Sequence, residues 1–213
     1  MQIFCSSSSA TCFLPLFFLH IVQICAQKKT VLITGANRGI GFAAVKQLAV
    51  TNNFNIILAA RNVNLANKAV QSIPISQGRE NIEIRALDLA NLSSIESFAE
   101  EFKKKKKKID IIACNAGVQH SSGCFRTSDG FEDTVGTNHL GHVLLLHRLL
   151  PDVLTSKGKI VFTASGVHNP KEPGGDVGAA VVFIIFFFLL LLKFLLHPFF
   201  YFFMIGFSSF LTV

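Results

Sequence analysis

The chain has 213 residues, of which 50% are hydrophobic, and its formal net charge is +7; this length predicts one domain with a sizeable core. Six of the positive charges come from the single run Lys103–Lys108, and a basic patch confined to one run excludes the extended footprint of a nucleic-acid-binding protein. The five cysteines form no C-x-x-C pair and have no zinc-ligand spacing, so they indicate neither a metal site nor a disulfide framework.

Residues 1–27 carry no charged side chain and become strongly apolar from Phe13. Three interpretations fit this segment: a cleaved signal peptide that ends near Ala26, a plastid-directed leader, or a short membrane anchor. If the segment stays as an anchor, Lys28 and Lys29 on its carboxyl side would hold the following domain at the cytoplasmic face of the endoplasmic reticulum.

After this segment, strands and helices alternate. The predicted strands cover 30–34, 54–60, 81–87, 109–114 and 159–164, and the predicted helices cover 40–50, 63–72, 92–105 and 131–151. Repeated strand–helix units predict an α/β fold with a doubly wound, Rossmann-like parallel sheet. Nearly continuous apolar strands indicate that helices cover both faces of the sheet. Ligands of such sheets bind beyond the carboxyl ends of the strands.

The first strand leads into a glycine-rich turn, Thr34–Gly41, with the spacing T-G-x-x-x-G-x-G. Glycines let the backbone turn tightly and approach a pyrophosphate, which then lies at the N–H groups of the following helix. The alternative is a tight turn without a ligand. We predict a dinucleotide site that includes Gly35, Asn37, Arg38, Gly39, Ile40 and Gly41.

The charges around the second strand indicate which nicotinamide nucleotide binds. An NAD site needs an acidic residue near the end of this strand to accept the ribose 2′-hydroxyl, yet no Asp or Glu lies between Thr34 and Glu80. Arg61 follows the strand and Arg38 lies in the turn, and guanidinium groups suit a 2′-phosphate. NADP is therefore the predicted cofactor, with two ordinary surface arginines as the alternative.

Polar residues also follow the next two strands. Asp88 comes after the third strand and Asn115 after the fourth; without any ligand, Asp88 would cap the helix that begins near Leu92 and Asn115 would form a turn before Gly117. Between these strands, the run Lys103–Lys108 predicts a solvated last helical turn, with contact to anionic lipid as the alternative. Cys114 is expected to be a small core residue.

The later part of the chain contains Asn138 in the long predicted helix and Ser165 at the end of the fifth strand. Four histidines in this part of the chain could indicate a metal site, but no carboxylate or cysteine accompanies them at the spacing of metal ligands. Solvated or packed side chains are the prediction for these histidines: His139, His142, His147 and His168.

In this order the motifs resemble those of the short-chain dehydrogenase/reductase family over Lys29–Gly178. The segments 138–142 and 165–168 are similar to the branch that contains retinol dehydrogenases and protochlorophyllide reductases. The resemblance implies hydride transfer between NADPH and a carbonyl or conjugated double bond of the substrate, which would be a bulky, lipophilic small molecule. The segment 170–178 resembles the loop insertions of reductases that accept large ring systems.

The same resemblance assigns roles to single residues. Ser165 would hold the substrate carbonyl, and Asn138 would position a water in the proton relay. Asp88 would contact the adenine, and Asn115 would stabilise the central strand and line the cofactor channel. The neighbouring residues that complete these two cofactor motifs are Leu89, Ala116 and Gly117.

One part of the family pattern is missing. The family's proton donor is a tyrosine whose pKa is lowered by a lysine four residues later, since a phenol with a pKa near 10 is a poor acid–base group at neutral pH. The chain's one tyrosine is Tyr201, position 205 is Ile205, and Lys193 precedes the tyrosine by eight residues. Impaired catalysis is therefore expected, and the alternative function is a non-catalytic, membrane-anchored NADPH-binding module.

The sequence of the carboxyl-terminal segment differs most from the family pattern. Between residues 179 and 207 the one charged side chain is that of Lys193, so the segment lacks the polar periodicity of a helix or strand that would complete the domain. It is either membrane-inserting or the product of an aberrant gene model. The expected organisation is thus 1–27, a nucleotide-binding domain over 28–178 with an incomplete sheet edge, and a tail over 179–213.

Two further expectations follow from this organisation. Homodimers of the family use the long helix with Asn138 and a following helix that this sequence does not supply, which argues against such a dimer here. The expected location is the cytoplasmic face of the endoplasmic reticulum or the plastid.

Overall fold

A computed structural model of the chain describes residues 28–105, 107–120 and 122–163. The strands are β1 (Lys29–Thr34), β2 (Phe54–Ala60), β3 (Ile82–Ala86), β4 (Ile111–Cys114) and β5 (Lys159–Phe162). The α-helices are α1 (Gly39–Thr51), α2 (Val63–Gln71), α3 (Leu92–Lys104), the single turn α4 (Asp133–Val135) and α5 (Gly141–Thr155). The predicted segments 1–27 and 179–213, and Ser165, lie outside the described residues.

The five strands form one sheet in the order β3-β2-β1-β4-β5, and every neighbouring pair is parallel. β1 lies at the centre, because Val31–Ile33 pairs with Ile56–Leu58 of β2 on one side and with Ile111–Ala113 of β4 on the other. This strand order and direction confirm the predicted α/β, doubly wound architecture.

Helices cover both faces of the sheet, as the apolar strands predicted. On one face, Leu32, Ile57 and Ile112 pack with buried residues of α3 and α5. On the other face, Ile33 and Ile56 pack with buried residues of α1 and α2. Neighbouring residues of one strand thus enter different cores, because successive side chains of a strand point to opposite faces.

Cys114 lies in the first of these cores with 3% of its surface exposed. Burial raises the pKa of its thiol, because the thiolate would lose its hydration there. The prediction that Cys114 is a small core residue is confirmed.

The long helix predicted over 131–151 is present over 133–155, but it is not a regular α-helix throughout. A π-helical segment, Gly136–Leu140, separates α4 from α5, and α5 continues to Thr155 past Pro151. Close packing accompanies the change of helix type: an added Cβ on Gly136 would lie 2.6 Å from Cγ2 of Thr127, and one on Gly141 would lie 2.4 Å from the Leu89 carbonyl oxygen.

Other differences are local. Two 3₁₀-helices, Ile75–Gln77 and Arg79–Asn81, precede β3 and were not predicted. Between them Gly78 has a φ of +79°, and an added Cβ would lie 2.2 Å from the carbonyl oxygen of Ala49. Contact with α1 therefore shapes this connection, and sequence periodicity carries no sign of that contact.

The lysine run only partly follows its prediction. Lys103 and Lys104 are exposed in the last turn of α3, where cations suit the negative end of the helix dipole. Lys105, Lys107 and Lys108 instead lie in the connection to β4. Among the described residues, no helix is both long enough and apolar enough to cross a bilayer.

Candidate nucleotide-binding site

The predicted cofactor residues meet at the carboxyl ends of the strands. The glycine turn follows β1, Arg61 follows β2, Asp88 follows β3 and Asn115 follows β4. Because all these strands are parallel neighbours, their carboxyl ends lie at the same end of the sheet. We call this surface, formed by 34–41 with these three residues, the nucleotide end.

The glycine turn packs closely against the residues that follow β4. Gly35 and Gly39 have φ values of +63° and +56°, which L-residues with side chains rarely adopt. A Cβ on Gly35 would lie 2.7 Å from Cα of Ala116, and one on Gly41 would lie 2.5 Å from Nδ2 of Asn115. Glycine is therefore required at these positions by backbone conformation and by close packing.

The turn presents the amino terminus of α1 without a protein cap. Arg38 occupies the N-cap position with an extended backbone and makes no side-chain capping bond, and the first turn contains no acidic residue. Arg38, Gly39 and Ile40 are exposed. The N–H groups of this 13-residue helix are thus available to an anion and are favoured by the helix dipole. These features fit the pyrophosphate of a dinucleotide.

Two exposed arginines, Arg38 and Arg61, belong to the nucleotide end. Arg61 is exposed directly after β2, and it precedes Asn62, which caps α2 by accepting a hydrogen bond from Leu65 N–H at 2.9 Å. Within the described part of the chain, neither Arg61 nor Arg38 forms an ion pair. Both guanidinium groups can therefore bind a ligand phosphate.

Asp88 does not cap α3, so that interpretation is wrong. The cap is Asn91, whose Oδ1 accepts a hydrogen bond from Ser94 N–H at 3.0 Å. The Asp88 carboxylate instead accepts from Ala90 N–H at 3.0 Å, which forms a turn two residues before the helix cap. Leu89, the next residue, is buried.

Asn115 connects three strands. Its Nδ2 donates to the Thr34 carbonyl oxygen at 3.0 Å, and its Oδ1 accepts from the Thr163 hydroxyl at 3.2 Å. The wholly buried Thr34 hydroxyl in turn accepts from the N–H groups of Asn115 at 2.9 Å and Ala116 at 3.0 Å. The end of β1 is thereby fixed to the end of β4, directly below the glycine turn.

His142 is a site residue that the sequence prediction treated only as solvated or packed. Its Nε2 lies 2.9 Å from the Thr34 hydroxyl, and its Nδ1 lies 2.9 Å from the Asn138 carbonyl oxygen. The Asn138 carbonyl oxygen can only accept, so Nδ1 carries the ring proton, and Nε2 of the neutral ring accepts the proton of the Thr34 hydroxyl. Burial lowers the pKa of His142 to about 4, which keeps this ring neutral.

Asn138 lies in the π-helical segment and holds the loop after β4. Its Oδ1 accepts from Val118 N–H at 2.7 Å, while its Nδ2 donates to the Val118 carbonyl oxygen at 2.8 Å. Its own carbonyl oxygen accepts from His142. A continuous set of hydrogen bonds therefore runs from the glycine turn through Thr34 and His142 to Asn138.

Apolar side chains lie beside this network, in the loop before α4. Phe125 is 51% exposed and Phe131 is 41% exposed. His120 stacks on Phe125 with ring centroids 4.3 Å apart and pairs with Asp133 at 2.7 Å. Among the described residues, no three His, Cys, Asp or Glu side chains are grouped as metal ligands.

Comparison with known proteins agrees with this geometry. The sequence model of the short chain dehydrogenase family matches residues 29–180. The WW domain-containing oxidoreductase of Gallus gallus is 43% identical over 142 residues, which cover 66% of this chain and 34% of the relative. The chloroplastic protochlorophyllide reductase of Daucus carota is 42% identical over 129 residues, which cover 60% of this chain and 32% of the relative.

A solved structure shares the fold. The alcohol dehydrogenase from the archaeon Thermococcus sibiricus, complexed with 5-hydroxy-NADP, superimposes with a TM-score of 0.68 at 25% identity, over 84% of this chain and 77% of that one. The chain spans about a third of the length of the curated relatives that it matches.

Proposed function

The chain belongs to the short-chain dehydrogenase family, and on that basis we propose that it is an NADP-dependent oxidoreductase. The proposed reaction is hydride transfer between NADPH and a carbonyl or conjugated double bond. The observation that carries the proposal is the uncapped amino terminus of α1, with Arg38 and Arg61 nearby and no acidic residue between Thr34 and Glu80.

Each part of the nucleotide end has a proposed task. The nicotinamide supplies or accepts the hydride when the cofactor is bound. Gly35, Gly39 and Gly41 let the backbone approach the pyrophosphate, and the two arginines bind the 2′-phosphate. Asn115 and Asn138 hold the strand end and loop that border the cofactor channel. Ser165, which lies outside the described residues, is proposed to orient the substrate carbonyl.

The proposed substrate is a bulky, lipophilic small molecule. Phe125 and Phe131 expose apolar surface at the same end of the sheet as the glycine turn, and such surface favours an apolar ligand. The relative from Daucus carota is named as a reductase of protochlorophyllide and as chloroplastic. Its name supports a large ring system as substrate and the plastid, rather than the endoplasmic reticulum, as the location.

We also propose the domain organisation. The family match over 29–180 supports a nucleotide-binding domain over 28–178. The apolar segments 1–27 and 179–213, which lie outside the described residues, are proposed as a targeting or anchoring segment and a separate tail.

A second candidate is nucleotide binding without turnover. It is favoured by the sequence around Tyr201, where position 205 is Ile205 and no lysine follows at the family spacing. A neutral phenol without such a neighbour is a weak acid–base group at pH 7. Binding of NADPH without its consumption across a panel of aldehydes, ketones and tetrapyrroles would favour this candidate over the reductase.

The cofactor assignment is tested with the variant Arg61→Asp. Replacing a phosphate-binding guanidinium by a carboxylate should weaken NADPH binding about 100-fold and should reverse the preference towards NADH. The measurement is fluorescence titration of both nucleotides. Arg79→Asp is the matched control, because Arg79 is a half-buried arginine before β3, at the other end of the sheet, where it donates to the Gln71 carbonyl oxygen at 3.3 Å. Unchanged NADPH affinity in Arg61→Asp would contradict the assignment.

A further inference from the structure

The end of the sheet opposite the nucleotide end carries most of the described lysines. Nine of the eleven lysines in the described part of the chain lie in the last turn of α3, in a segment that precedes a strand, or at the first residue of a strand. We call this surface the lysine end; it consists of Lys28, Lys29, Lys103, Lys104, Lys105, Lys107, Lys108, Lys157 and Lys159.

Carboxylates neutralise only part of this charge. Glu83 alone pairs with Arg85 at 2.8 Å, with Lys107 at 2.5 Å and with Lys105 at 3.8 Å. Burial would raise the pKa of Glu83, but the hydrogen bonds from Lys107 and Arg85 outweigh that effect and lower the pKa. One ionised carboxylate therefore serves three cations. Glu80 and Asp110 line the same cavity as Glu83 and Glu101 lies in the last turn of α3, so nine lysines exceed the neighbouring carboxylates and a positive excess remains.

Four of these lysines are accessible to a binding partner. Lys29, Lys104, Lys108 and Lys157 are exposed, and none of the four forms an ion pair with another described residue. They come from the start of β1, from the end of α3 and its connection to β4, and from the connection between α5 and β5. The positive surface therefore extends across the sheet from the central strand β1 to the edge strand β5, so the expectation of a basic patch confined to the run 103–108 is wrong.

Apolar surface accompanies the charge. Val50, Ile75 and Leu154 are 60%, 66% and 39% exposed, and they lie near the carboxyl ends of α1, α2 and α5, which meet the lysine end. A cavity of about 590 Å³ also opens here, and its lining contains four lysines and three carboxylates beside strand residues such as Ile56. This cavity lies at the end of the sheet opposite the glycine turn, so it is distinct from the nucleotide site.

This combination suits a membrane surface better than a nucleic acid. Single-stranded nucleic acids need aromatic platforms, whereas the large exposed apolar residues near the lysine end are aliphatic. Lysines are flexible point charges that attract anionic headgroups without a fixed geometry, and aliphatic side chains can enter the interface. We propose that the lysine end binds peripherally to an anionic lipid bilayer, with the nucleotide end facing away from the membrane.

The experiment is co-sedimentation of the full chain with vesicles of about 70% phosphatidylcholine and about 30% phosphatidylserine, and with pure phosphatidylcholine vesicles. The variant Lys104→Gln/Lys108→Gln removes two exposed lysines from the lysine end. The matched control Lys46→Gln/Arg126→Gln removes the same charge from α1 and from the loop before α4. We expect the first variant to bind the anionic vesicles about 25-fold more weakly, about fivefold for each lysine, and the control to bind like the unchanged chain.

Three results would overturn the proposal: equal loss in both variants, equally tight binding to pure phosphatidylcholine, or tighter binding to duplex DNA at the same ionic strength. The first would indicate an effect of net charge alone, the second binding through apolar segments, and the third a nucleic-acid partner. NADPH titration of both variants is a separate readout of folding. It also keeps this test distinguishable from the test of the proposed reaction, on which the lysine end does not depend.

Discussion

The two ends of the sheet both favour anions, but they do so with different groups. At the nucleotide end, the donors are backbone N–H groups of α1, held by glycines and by a buried hydrogen-bond network around Thr34. At the lysine end, the donors are long exposed side chains. A backbone site has a fixed shape and can recognise one ligand geometry, whereas mobile lysines provide charge without shape.

The two ends should respond differently to pH. The buried network of the nucleotide end contains the neutral ring of His142, whose pKa is lowered to about 4 by burial. The lysine end contains no histidine among its members. Between pH 6.5 and about 4, acid should therefore act on the first end and leave the charge of the lysines at the second end unchanged.

The largest expected effect follows from this difference. The unfolded chain binds a proton at His142 near pH 6.5 and the folded chain only near pH 4, so stability is lost as the pH falls between these values, by about 3 kcal/mol. Chemical denaturation across this range should show a smaller loss for His142→Gln than for the unchanged chain. His147→Gln, on the exposed side of the same helix, is the control. Equal pH dependence in all three proteins would contradict the role of His142.

A smaller effect is expected when the shape of the nucleotide end is changed. In Gly41→Val the added Cβ would lie 2.5 Å from Nδ2 of Asn115, so the turn must move away from the position that binds pyrophosphate. NADPH affinity should fall about 100-fold, as expected for a displacement near 1 Å. Ala43→Val, at an exposed position of the same helix, should bind NADPH normally, and both variants should bind anionic vesicles like the unchanged chain.

The smallest expected effect tests whether a loss of global stability leaves ligand binding at the two ends unchanged. Asn91 caps α3, the helix that begins near Asp88 and ends in the lysine run. Asn91→Ala should lower the free energy of unfolding by about 1 kcal/mol without changing NADPH or vesicle binding in native conditions. Ser93→Ala, at an exposed position in the first turn of the same helix, should leave the free energy of unfolding unchanged in thermal or urea denaturation. A selective loss of either binding activity would show that the cap also supports that end.

Site residues could be predicted where the sequence pattern that identifies them lies within a few neighbouring positions. The spacing of Gly35, Gly39 and Gly41 indicated the turn, and Arg61 without a nearby acid indicated a place for a phosphate. His142 was not predictable as a member of the network, because its partner Thr34 is 108 positions away. The cap of α3 was wrongly expected at Asp88, because only the backbone path shows that the Asn91 side chain reaches the Ser94 N–H group.

The sequence by itself determined the order of strands and helices, their bounds to within one or two residues in most cases, and the positions that require glycine. These features depend on side-chain periodicity and backbone freedom over a few neighbouring residues. The tertiary structure alone decided which strand ends meet, how Asn138 and His142 join the glycine turn, and that lysines from separate segments form one surface. Those outcomes depend on strand order and parallel register, which bring together residues that have no relation along the chain.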